Sequence, residues 1–150
     1  MKIPDDRAGA TLAELVLSLS ILAWAAGLAL PRLAGARDEY AVRAARDAAA
    51  ALVDRARLLA QLRGSARLRI DPGAAELRIE APIGTAAGAP LLPGAEWGAA
   101  LVIAGHGSGP VALDFDVRGL GRVASRTLQF RRGDREARLT LSAYGRVRRW

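Results

Sequence analysis

The chain has 150 residues, one small domain's worth once a membrane-length segment is set aside, and it carries no cysteine, which excludes a disulfide framework and any thiolate metal site. Lysine and arginine total 22 against 15 aspartate and glutamate, a net charge of +7 that suits either background composition or a basic face for nucleic acid or acidic lipid. The single histidine, His106, sits among glycines, so a zinc or Ser-His-Asp site would have to be built around one loop residue.

The first nine residues are short and polar, with Lys2, Asp5, Asp6 and Arg7. From Ala8 to Pro31 the chain then holds one charge, Glu14, in 24 residues. At about 1.5 Å of rise per residue that stretch covers a hydrocarbon layer roughly 30 Å thick. It is too long for the apolar core of an ordinary secretory signal, and its small residues Ala8-Gly9 stand before it rather than after it. A signal cut near Ala34-Gly35-Ala36 and a plain uncleaved single-span anchor both remain as alternatives.

A lone carboxylate at bilayer depth costs about 2.5 to 3.5 kcal/mol on insertion scales, so Glu14 needs a partner, and none is expected nearby in the sequence. Pro31 lacks an amide hydrogen and either ends the membrane segment or kinks a helix that continues. Continuation is expected, because Leu33, Val42, Ala45, Ala49, Leu52, Val53, Ala56, Leu59 and Ala60 recur at steps of three and four beyond it. Gly64 is the expected stop, giving one helix of about 50 residues, some 75 to 80 Å long.

After Gly64 the period changes to two. Ala66–Ile70 and Glu76–Glu80 alternate around Asp71-Pro72-Gly73, the pattern of a hairpin. Ala81–Gly98, rich in proline and glycine, reads as a long loop, disordered or partner-facing. Ala100–Ala104 is a short strand. Val111, Leu113, Phe115 and Val117 predict a half-buried strand running to Gly119, with Asp114 and Asp116 together on its wet face, or serving calcium. Thr127–Phe130 and Ala137–Leu141 predict a second hairpin around Arg132-Gly133-Asp134, and Gly145-Arg146-Val147-Arg148 a last strand. Trp24 reads as a membrane residue or one packed against other helices, Trp97 and Trp150 as covers for the core edge.

Gly105-His106-Gly107-Ser108-Gly109 lacks the lysine of a phosphate loop and leads into a strand, so nucleotide binding is rejected. No catalytic residue, metal ligand or cofactor site is expected, and the chain reads as non-enzymatic. Arg146, Arg148 and Arg149, with Arg131, Arg132, Arg135 and Arg138 nearby in sequence, either solubilise exposed strands and block edge pairing or bind phosphates with steep salt dependence.

Polar leader, Gly9, apolar helix with Glu14 five residues on, and the Thr11-Leu12-x-Glu14-Leu15 pattern together resemble the start of type IV pilins and type II secretion pseudopilins. The resemblance implies cleavage by prepilin peptidase after Gly9, leaving Ala10 as a methylated first residue, Glu14 as the fifth and Pro31 as the twenty-second. Ala10 departs from the family's usual Phe or Met, and Asp5 and Asp6 from its more basic leader. Phe115, Gly119 and the closing Gly145-Arg146-Val147-Arg148 are similar to the GspH/FimT branch; residues 65–110 match nothing in it.

That resemblance implies an α+β pilin-like fold: a leader over 1–9, a transmembrane and filament-core helix over 10–33, an amphipathic helix over 34–63, and a periplasmic β-rich head of antiparallel sheet over 65–150. It implies a minor pseudopilin of a type II secretion system, single-pass in the bacterial inner membrane, at or near the tip of a filament. Its partners would be other pseudopilins, prepilin peptidase, the inner membrane and secreted proteins. A free amine at Ala10 of a neighbouring subunit would then meet Glu14. In the FimT-like members the closing Gly-Arg-x-Arg is linked to DNA capture, which makes Arg146 and Arg148, with Arg149, the DNA-binding candidates of the alternative.

Overall fold

The structure, a computed structural model, describes residues 11–82, 86–122, 125–142, 144 and 146–150. The leader with Gly9 and Ala10 lies outside the described residues, as does Gly145. The chain divides after Ala36 into two units, both of which share the helix α1, Leu12–Arg63.

In the first unit α1 is apolar on every side and exposed on every side: Leu12, Leu15, Val16, Leu17, Ile21, Leu22, Trp24, Leu28 and Leu30 all face outward. It is long and apolar enough to cross a membrane. Leu33, expected in the buried stripe, belongs to this exposed stretch instead.

In the second unit one face of α1 is buried at Ala41, Val42, Ala45, Ala49, Val53, Ala56 and Ala60. Those steps of three and four keep the residues on a single stripe, and alanine's small size lets the helix backbone come close to what it covers. The helix passes through position 31 without a break and ends at Arg63, before Gly64 in the left-handed region at φ +86°.

That stripe joins one core with two antiparallel sheets. The first, ordered β2-β1-β4, contains β1 (Ala66–Asp71), β2 (Glu76–Glu80) and β4 (Val111–Phe115). The second, ordered β3-β5-β6-β7, contains β3 (Ala100–Ile103), β5 (Arg126–Arg132), β6 (Arg135–Leu141) and β7 (Val147–Arg149). Alternation decides what each strand buries: Leu68 and Ile70, Leu77 and Ile79, Leu101 and Ile103, Leu128 and Phe130, Leu139 and Leu141. Both predicted hairpins form, with Leu68 opposite Ile79 and Leu128 opposite Leu139.

Two expectations about where strands and loops end fail. The strand predicted to reach Gly119 stops at Phe115, leaving Val117 exposed. Asp116 accepts hydrogen bonds from the amides of Arg118 and Leu120, both 2.9 Å, so its carboxylate draws the backbone into a turn that competes with strand extension.

The segment predicted as a loop over Ala81–Gly98 is partly ordered against the core. Leu91 exchanges backbone hydrogen bonds with Leu77 (2.9 and 2.8 Å), so it covers the outer edge of β2. Pro93–Trp97 then forms a short helix, α2, with Pro93 buried and Gly98 left-handed behind it.

Candidate functional site

Two sets of residues carry the functional expectations, one at the start of α1 and one around β7. At the first, Thr11 and Glu14 close a reciprocal pair. Glu14 Oε2 accepts from the Thr11 amide (2.8 Å) and hydroxyl (3.3 Å), while the Glu14 amide donates to Thr11 Oγ1 (3.3 Å). This is a capping box, which satisfies amide groups that the first helical turn leaves unpaired. Glu14 therefore does have a partner close in sequence, contrary to expectation, and the signal for it was the Thr-x-x-Glu spacing itself.

Around β7 the structure brings together Arg146, Arg148 and Arg149 with two residues of α1, Asp54 and Arg57. They line a groove of about 940 Å³, along with Thr140, Ser142 and Val147. Val147 packs toward the core, and Arg149 approaches Asp47 of α1 at 3.8 Å. Arg148 alternates to the other face and lies 5.1 Å from the centroid of the Trp150 ring, a cation–π contact that aligns the guanidinium with an exposed aromatic. Trp150 thus stands exposed rather than covering the core edge, whereas Trp97 does pack against the core.

The remaining basic residues do not join this groove's lining. Arg131 and Arg138 share Glu136, the first at 3.0 Å and the second in a closer contact. Arg138's hydrogen bond is the main cause that holds the Glu136 carboxyl below its ordinary value; desolvation opposes it, and the charges of Arg138 and Arg131 add to the lowering. Arg132 binds Asp38 (Nε to Oδ1, 2.8 Å) and the Trp97 carbonyl. Arg135 lines a separate depression of about 350 Å³ with Glu39, Arg43, Arg46 and Trp150. Seven arginines that look contiguous in sequence are thereby sorted: Glu136 and Asp38 hold Arg131, Arg138 and Arg132, the separate depression takes Arg135, and the groove takes Arg146, Arg148 and Arg149. Sequence reasoning missed Arg57, which lies roughly 90 residues upstream in sequence.

The other candidates separate as well. Asp114 makes a two-pronged ion pair with Arg67, at 2.6 and 3.2 Å, and this hydrogen bond raises the Arg67 guanidinium above its ordinary value. Asp116 lies beyond the end of β4 and binds the amides of Arg118 and Leu120 while Asp114 binds Arg67, and its backbone hydrogen bonds, Leu120's first, hold it below the ordinary carboxylate value. His106 is exposed in its loop. Among the described residues no three His, Asp or Glu side chains come together as a metal site.

No family model and no curated protein matches the chain. Two crystal structures of the type IV minor pilin FimU of Pseudomonas aeruginosa are similar to it. One has a TM-score of 0.54 at 16% identity, covering 73% of this chain and 87% of FimU. The other has a TM-score of 0.53 at 18% identity, covering 72% and 91%. The likeness shows the fold: a long N-terminal helix with antiparallel sheets, α+β, of the type IV pilin kind.

Proposed function

We propose that this chain is a minor pilin-like subunit, a pseudopilin of the GspH kind, that enters a short filament of a type II secretion system. The observation that carries it is α1, whose first stretch, Leu12–Leu30, is apolar and exposed on all sides while its later turns bury an alanine stripe in a pilin-type head. So much exposed apolar surface is stable only in a bilayer or against other apolar helices. A pseudopilin meets both in turn. The likeness to a minor pilin supports the same reading.

On it, prepilin peptidase cuts after Gly9, Ala10 becomes the methylated first residue, and the chain waits as a single span in the inner membrane with its head in the periplasm. Assembly then moves the apolar stretch from lipid into the filament core, beside other pseudopilins. Methylation keeps the Ala10 amine cationic, so it can pair with Glu14 of a neighbour. The chain itself performs no chemical step and takes no cofactor; its contribution to export is mechanical.

The deciding measurement is the amino-terminal sequence and mass of the protein recovered from membranes. A start at Ala10 carrying one methyl group is expected, and a start at Met1, or beyond residue 34, overturns the proposal.

The groove around β7 favours a second reading, a FimT-like minor pilin that binds DNA for uptake, because Arg57 joins Arg146, Arg148 and Arg149 there. Gel shifts across a salt series decide it. On this reading binding falls steeply with salt and weakens in Arg146→Ala and Arg148→Ala. Binding that is absent, or indifferent to both changes, removes it.

A further inference from the structure

Among the described residues β7 is the last strand of its sheet, and its pairing with β6 fixes which of its backbone groups are left over. Trp150 and Arg138 exchange both backbone hydrogen bonds (2.9 and 3.1 Å), and the Ser142 amide donates to the Arg146 carbonyl (2.9 Å). Between these two pairs the register places Thr140 opposite Arg148. Residues 146, 148 and 150 therefore turn their amides and carbonyls toward β6. In an antiparallel ladder the intervening residues face the other way, so Val147 and Arg149 present both N–H and C=O at the open edge.

Val147, Arg148 and Arg149 of β7 also line the 940 Å³ groove, together with Asp54 and Arg57 of α1 and Thr140 and Ser142. Four arginines and one aspartate line it, so a basic strand is repelled there and an acidic one is drawn in. We propose that β7 accepts an extended acidic segment of another polypeptide as an added strand. Main-chain bonds form to Val147 and Arg149, and carboxylates on alternate residues meet Arg148 on one face and Arg149 and Arg57 on the other.

The choice of a polypeptide over a nucleic acid follows from the edge. Val147 and Arg149 offer two donors and two acceptors in strand register. A phosphate backbone brings acceptors only and would leave both carbonyls unmet, while a peptide supplies both kinds at the strand repeat.

The test uses the full chain in detergent micelles and a fluorescent peptide of alternating glutamate and valine, read by anisotropy. Its lysine counterpart and a single-stranded oligodeoxynucleotide of equal charge serve as comparisons. The acidic peptide is expected to bind and the lysine peptide not to. Arg148→Ala should weaken binding about tenfold, as should Val147→Pro, which removes an outward amide together with part of a core-facing side chain, its retained head fold being checked by circular dichroism. On the unmodified chain, bound peptide should slow hydrogen exchange at the amides of Val147 and Arg149 and leave Arg148, already paired with β6, unchanged. Failure of the acidic peptide to bind, tighter binding of the oligonucleotide, or no selective slowing at those two amides overturns the proposal.

Discussion

Arg132 on β5 holds Asp38 of α1 at 2.8 Å while the same guanidinium donates to the carbonyl of Trp97 at the end of α2. One side chain thus fastens the start of the head's helical stretch, the β5–β6 turn and the short helix that precedes β3. Both partners are partly exposed, so the ion pair itself contributes little, and the hydrogen bond to the carbonyl matters more. Arg132→Ala should lower head stability by about 1 to 2 kcal/mol. Arg132→Lys should recover only part of it, because an ammonium lacks the planar fork that reaches two partners. Urea unfolding followed by tryptophan fluorescence, with Trp97 as a local reporter, checks both.

Gly119 has a second fixed relationship with α1. Its φ is +71°, and a Cβ there would stand 2.9 Å from Gln61 Nε2. Its carbonyl accepts from Arg57 Nε at 3.1 Å. Gly119→Ala should cost about 1 to 2 kcal/mol from backbone conformation alone. Adding Gln61→Ala should recover only the crowding share of the loss, so a double-mutant cycle separates conformation from contact.

Ala49 is fully buried in the helix stripe, while Ala51, two residues on, is exposed. The same substitution at the two places should behave oppositely. Ala49→Leu forces the helix away from the sheets and should cost about 1 to 3 kcal/mol or more, whereas Ala51→Leu should lie within about 0.5 kcal/mol of the parent. Phe130→Ala, emptying the largest fully buried side chain, should cost about 3 to 5 kcal/mol. Thermal unfolding of the three variants orders them.

Much of this architecture was legible in the sequence because it rests on local periodicity. The stripe from Val42 to Ala60 and the alternations in Ala66–Ile70 and Ala137–Leu141 each record which face meets the core. The end of β4 was not legible by that rule, since Val117 keeps the alternation while Asp116 breaks the strand with its own side chain. Nor was the groove. Arg57 and Arg149 become neighbours only through the pairing of β7 with β6 and the packing of α1, and no spacing in the chain encodes that. Charge runs misled for a related reason: Arg131, Arg132 and Arg138 look like one patch with Arg146–Arg149, yet Glu136 and Asp38 hold them elsewhere.

Acid should weaken the head through particular carboxylates. Glu136 is held below its ordinary 4.5 chiefly by Arg138, and Asp116 below its ordinary 3.8 chiefly by the Leu120 amide. A carboxyl whose folded value is depressed stabilises fully above its unfolded value, and that contribution disappears as pH falls through the folded one. Stability should therefore hold from neutrality to about pH 5 and decline below about pH 4.5. Glu136→Gln should flatten the upper part of that decline, and Asp116→Asn the lower part. Urea midpoints measured from neutral to acid pH read both effects.

Glu14 carries two separable demands. As the acid of a capping box with Thr11 it steadies the first turn of α1, a contribution of about 1 kcal/mol that glutamine can also supply. As the proposed counter-charge to a neighbouring Ala10 amine it must be ionised, which glutamine cannot be. Glu14→Gln should therefore keep the helix start and membrane insertion while losing filament incorporation, and Glu14→Ala should lose the cap as well. Thr11→Ala should do the reverse, fraying the first turn yet still entering filaments. Sheared-filament fractions compared with membrane fractions decide among them. Incorporation of Glu14→Gln at the parental level would assign this carboxylate to capping alone and leave the Ala10 amine without its partner.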